Sequence, residues 1–112
     1  MLDKTKKIEV CVGCDDHRDY GSVFPQQVDF LFKKISDFRN NGGSYYPISG
    51  QFEGKRDLES YKMEFYCIED MFNPLINKIK EVFRENPPKG VEFVSIKSYN
   101  VVSDSFSVLE ND

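Results

Sequence analysis

The segment from Lys7 to Gly13, Lys-Ile-Glu-Val-Cys-Val-Gly, alternates apolar and polar side chains without a break. Ile8, Val10 and Val12 fall on one side of such a segment, and Glu9 and Cys11 fall on the other. Successive side chains of a strand point to opposite faces, so this pattern predicts a strand with one buried face. The rest of the fold is expected to supply neighbouring strands and a layer over that face.

Two amphipathic helices are predicted to form the covering layer. The first helix has Pro25, a residue suited to the first turn, near its start, and it ends at the turn-forming run 40–43. Its apolar stripe consists of Val28, Leu31, Phe32, Ile35 and Phe38. The second begins near Asn73-Pro74 and ends at the proline-containing run 86–90; its stripe is Phe72, Leu75, Ile76, Ile79, Val82 and Phe83.

Three further strands are predicted at 44–53, 60–68 and 91–102, the first two joined by a turn-like segment of hairpin length. The order of elements is then βαββαβ, which predicts a ferredoxin-like α+β sandwich: a four-stranded antiparallel sheet with both helices on one face. A chain of 112 residues fits one domain, 1–112. Residues 103–112 are predicted to be an acidic tail or a short extra strand.

The charge and cysteine content narrow the functional classes. Net charge is −4 with 19 acidic against 15 basic residues, which disfavours a nucleic-acid partner. No apolar run is long enough for a transmembrane helix, and no signal peptide is recognised before the first strand. Three cysteines do not suggest a disulfide framework, so the expected location is the cytoplasm.

The face of the sheet opposite the helices is predicted to be both aromatic and acidic. Side-chain alternation places five candidate partner-binding residues there, namely Tyr45, Glu64, Tyr66, Phe93 and Tyr99, and places Tyr46 and Ile48 on the helix side. Tyrosines are enriched at protein interfaces, so this open face is a candidate for a protein partner or for self-association. Alternatively, the aromatic pairs only stabilise a solvated sheet face. Glu9, Glu53 and Glu64 disfavour RNA stacked on it.

The loop Cys11–Tyr20 holds most of the chemically reactive side chains, including the only histidine. Cys11, Cys14 and His17 would suit zinc, but no second Cys-x-x-Cys supplies a fourth ligand. A redox Cys-x-x-Cys and acid–base catalysis by His17 are further alternatives. Consecutive acidic residues beside a histidine are also typical of a solvated loop. The secondary site that this loop favours binds a small anionic ligand at the start of the helix, with Asp15, Asp16, His17 and Arg18 as its binding residues.

The chain resembles a family of small bacterial ferredoxin-like α/β proteins of unknown function. The matching residues are Val12-Gly13, Gly50-Gln51-Phe52 with Gly54, and the strand Lys62 to Cys67 followed by Glu69-Asp70. The resemblance extends over about residues 8–97 and implies the fold. It implies no catalytic residues, and the chain departs from the family in its Cys-Asp-Asp-His loop and in lacking an export signal.

Two functional hypotheses follow. The first is a non-enzymatic binding protein, which includes an accessory inhibitor of a partner protein, that uses the open face for a partner or a homodimer. The second is a small-ligand domain, binding an anion or a nucleotide or acting as a catalyst, centred on the loop Cys11–Tyr20. No catalytic signature, cofactor or metal is predicted, and neither a membrane nor a nucleic acid is an expected partner.

Overall fold

The computed structural model describes residues 2–14, 23–38, 43–48, 51–52, 55–56, 59–91, 94–104 and 107–108. The first strand, β1, runs over Leu2–Cys14, and the first helix, α1, over Val23–Ser36. Strand β2 (Ser44–Ile48) follows, and then two short strands, β3 (Gln51–Phe52) and β4 (Lys55–Arg56), that pair only with each other. Strand β5 (Glu59–Cys67), a 3-10 turn (Glu69–Met71), helix α2 (Phe72–Glu85) and strand β6 (Val94–Asp104) complete the chain.

The main sheet has the strand order β2-β5-β1-β6, and all of its pairs are antiparallel. Strand β1 is one of the two inner strands of this sheet. Its Val10 lies opposite Met63 of β5 on one side and opposite Ile96 of β6 on the other. The predicted ferredoxin-like βαββαβ architecture is therefore confirmed. Along the chain, the paired strands β3 and β4 are inserted between β2 and β5.

Among the described residues, an apolar core lies between the helices and one face of the sheet. The alternating residues of β1, Ile8, Val10 and Val12, are at most 1% exposed, as are Val28 and Leu31 of α1. Helix α2 adds its own stripe to the same cluster, with the buried residues Leu75, Ile79, Val82 and Phe83. Both helices thus cover the face that the alternation of β1 predicted to be buried.

The predicted strand bounds differ from the observed ones most at β1, at the end of β6 and within the predicted strand 44–53. Strand β1 begins at Leu2 because β6 continues to Asp104 and pairs with it, so residues 103–104 of the predicted tail belong to a strand. The predicted strand 44–53 is divided into β2 and β3.

In the described part of the chain, no helix is long and apolar enough to cross a membrane.

Candidate functional site

Cross-strand pairing aligns the side chains of the open face of the sheet in rows. One row aligns Tyr66, Lys7 and Tyr99, and the next aligns Glu64, Glu9 and Lys97. Tyr66 and Tyr99 are 50% and 44% exposed. The alternation pattern therefore placed Glu64, Tyr66 and Tyr99 on the correct face, whereas Phe93 lies outside the described residues.

Tyr45 does not lie on the open face, and this part of the prediction is wrong. Its hydroxyl donates a hydrogen bond of 2.7 Å to Asp29 Oδ1 of α1, and its ring centroid is 4.7 Å from that of Phe32. The neighbouring Tyr46 takes the open-face position, opposite Lys62 of β5. The pairing of β2 with β5 sets this register, and a shift of one residue exchanges the two faces.

The polar centre of the open face is a set of six side chains that we call the open-face network: Lys7, Glu9, Tyr46, Lys62, Glu64 and Tyr99. Glu9 and Glu64 lie directly opposite each other on β1 and β5, an arrangement that is unfavourable for like charges. Lys7 Nζ compensates for it, since it lies 3.1 Å from Glu9 Oε1 and 3.3 Å from Glu64 Oε1.

Further polar contacts complete the network. Tyr46 donates a 2.8 Å hydrogen bond to Glu64 Oε1, and Tyr99 donates one of 3.3 Å to Glu9 Oε2. Lys62 Nζ lies 3.9 Å from Glu9 Oε2. The Glu9 and Glu64 side chains are only 12% and 17% exposed although they lie on the uncovered face. The network thus shields its carboxylates and satisfies them within the face.

The contacts within the network shift the pKa values of Glu9, Tyr46 and Lys7. Burial alone would raise the pKa of Glu9, but the hydrogen bond from Lys7, the charge of Lys62 and the Tyr99 hydroxyl together lower it. The hydrogen bond that Tyr46 donates to Glu64 raises the pKa of Tyr46, and the hydrogen bond to Glu9 raises the pKa of Lys7 despite an opposing effect of burial. Each of these three groups therefore keeps its ordinary charge at neutral pH.

The other predicted site falls mostly outside the described part of the chain. Asp15, Asp16, His17 and Arg18 are all in the segment 15–22, which is not described, so the ligand-binding hypothesis for them stays a prediction. Among the described residues, no group of three or more His, Cys, Asp or Glu side chains is placed to hold a metal ion. Cys11 belongs to the open face opposite Lys62, while Cys67 packs against the core.

Sequence reasoning missed Lys7 and Lys62 as site residues. Both were available in the pattern, since Lys7 has the same parity as Glu9 on β1, and Lys62 has the same parity as Glu64 on β5. What the pattern lacked was the register between the two strands, which brings both lysines beside the carboxylates.

No family model matches this sequence, and no curated protein sequence matches it either. Solved structures do resemble the fold. CPII, a nitrogen regulatory PII-like protein from Thiomonas intermedia bound to ADP, AMP and bicarbonate, aligns with a TM-score of 0.57 at 13% identity, covering 96% of this chain and 100% of the other. A DUF3240 family protein from Shewanella baltica aligns with a TM-score of 0.62 at 13% identity, covering 91% and 96%.

A third similar structure is that of a functionally unknown protein from Pediococcus pentosaceus, with a TM-score of 0.56 at 14% identity and coverage of 92% and 95%. At such identities the likeness concerns the fold and not the activity. The chain therefore has the ferredoxin-like α+β fold found in PII-like and DUF3240 proteins.

Proposed function

We propose that this chain is a non-enzymatic binding protein that associates with a second copy of itself through the open face. The observation that carries the proposal is the open-face network. Burying charged groups is costly when they lose water without gaining partners, but Glu9 and Glu64 already have their partners within the face. Covering this face therefore requires little further desolvation of its charges.

The tyrosines beside the network supply the contact area. The half-exposed rings of Tyr66 and Tyr99 lie on either side of Lys7, and tyrosine is a residue type that interfaces favour. A second copy is the occupant that the charges support. The described face carries both signs, with Lys7, Lys62 and Lys97 near Glu9 and Glu64, so two identical faces do not present a strong repulsion to each other.

The test is the solution mass of the protein measured by light scattering after size exclusion. We expect the wild-type chain to have about twice the 13.0 kDa chain mass, and the Tyr66→Ala/Tyr99→Ala double variant to have the chain mass alone. Phe30→Ala is the matched control, because Phe30 is 48% exposed but belongs to α1. A wild-type protein that stays at 13.0 kDa across the accessible concentrations contradicts the proposal.

A second candidate function is the binding of a small anion or nucleotide by the loop Cys11–Tyr20. The observation in its favour is that one structure of similar fold, CPII, is bound to ADP, AMP and bicarbonate. The test is a thermal-shift assay with ADP, AMP and bicarbonate. We expect binding of one of them to raise the Tm of the wild-type chain, and we expect His17→Ala and Arg18→Ala to lose this stabilisation. Lys34→Gln, on α1, is a control for the loss of one positive charge. Absence of any shift contradicts this candidate.

A further inference from the structure

A cavity of about 390 Å³ lies on the helix side of the sheet, between the second half of α2 and strand β6. Its apolar wall is formed by Ile79 and Phe83 of α2 and by Val94 and Ile96 of β6. The loop after α2 forms its end, where Gly90 adopts a left-handed φ of 81° and Val91 N donates a hydrogen bond to Pro88 O. The cavity is separate from the open face, which lies across the sheet.

The rim of the cavity is positively charged. Lys80 and Arg84 line it from adjacent turns of α2, at a spacing at which like charges repel each other. Neither makes an ion pair with a residue in the described part of the chain. Lys78, two residues before Lys80 on α2, is by contrast paired with Glu81 at 3.8 Å. The two rim cations are therefore available for an anion.

We propose that this cavity binds a small amphiphilic anion, with its apolar body between α2 and β6 and its carboxylate at Lys80 and Arg84. The volume lies within the range of about 300–1,000 Å³ that is typical of small-molecule sites. An apolar wall with a few charged groups at one end is the usual construction of such sites. A guanidinium and an ammonium on one side of the opening complement a carboxylate head group.

The experiment titrates the intact chain with decanoate and, separately, with 1-decanol, which has the same apolar body without the charge. We expect decanoate to bind and to shift the amide NMR signals of Val91, Val94 and Ile96. The Lys80→Gln/Arg84→Gln variant is expected to bind decanoate about tenfold more weakly, because it loses the charge-assisted contacts. Both positions are exposed, so the variant is expected to fold normally, which its circular dichroism checks.

The control is Lys34→Gln, which removes a positive charge from α1 outside the cavity, and its decanoate affinity is expected to stay within about twofold of wild type. Three results overturn the proposal: no binding of decanoate, equal affinity in the rim variant and the control, or binding of decanol as tight as that of decanoate. The proposal is also overturned if the amide signals of Val91, Val94 and Ile96 shift on protein dilution while neither compound affects them. That result would point to a second copy of the chain at the cavity. The mass measurements on the open-face variants are independent of all these results.

Discussion

Gly43 gives the sharpest test of the register between β2 and β5. It immediately precedes β2 and, by continuation of the pairing of Ser44 with Glu64, faces Phe65. A Cβ atom at Gly43 would lie 2.6 Å from the backbone oxygen of Glu64 and 2.7 Å from Cδ1 of Phe65. Ordinary contacts between carbon atoms begin at about 3.5 Å, so Gly43→Ala creates a clash.

The surroundings offer little relief for this clash. The Phe65 ring is fully buried and stacks on Phe32, with 5.6 Å between the ring centroids. Relief on the other side would move the first residue of β2 away from its partner strand. Overpacking of this kind costs about 1–3 kcal/mol, and restriction of the unfolded chain by alanine returns about 0.4–1 kcal/mol. We therefore expect Gly43→Ala to lower the free energy of unfolding by about 1–2 kcal/mol.

The assays are urea and thermal unfolding followed by circular dichroism. For a chain of 112 residues, 1 kcal/mol corresponds to about 4 °C in Tm, so we expect a decrease of about 4–8 °C. Ser44→Ala at the adjacent exposed position is the control and should change the free energy by less than about 0.5 kcal/mol. The cost of Gly43→Ala should shrink in a Phe65→Leu background. Equal stabilities of the Gly43→Ala and Ser44→Ala variants would refute this account of the register.

Two further predictions concern charges and hydrogen bonds on the two faces of the sheet. The folded-state pKa of Glu9 lies below its ordinary value of 4.5, so its contribution to stability is present above that pH and is lost as the pH falls through the folded-state pKa. Between pH 7 and pH 3, the free energy of unfolding measured with urea should therefore decrease less for Glu9→Gln than for wild type. An identical pH dependence of the two free energies would contradict the network. Tyr45→Phe removes the hydroxyl that donates to Asp29, and we expect it to cost about 1 kcal/mol and to raise the pKa of Asp29 as followed by NMR. Tyr46→Phe, at the more exposed open-face position, is the control, and it should leave the pKa of Asp29 unchanged.

Local patterns in the sequence determined the fold class. The alternation of Ile8, Val10 and Val12 and the two helical stripes predicted one buried face and its covering layer, and these elements are observed. Such patterns suffice because the period of a strand and the period of a helix are properties of the local backbone. They also placed Glu64 and Tyr66 on the open face, since β5 alternates without interruption.

Only the tertiary structure decided the details that matter for binding. Tyr45 and Tyr46 are adjacent and chemically equivalent, so no local pattern distinguishes which of them faces the helices; pairing with β5 does. The position of Lys7 between two opposed carboxylates depends on the register of β1 against β5. The cavity beside Lys80 and Arg84 depends on how α2 lies against the edge of the sheet. Each of these arises from contacts between residues far apart in the chain, whose geometry the local periods do not specify.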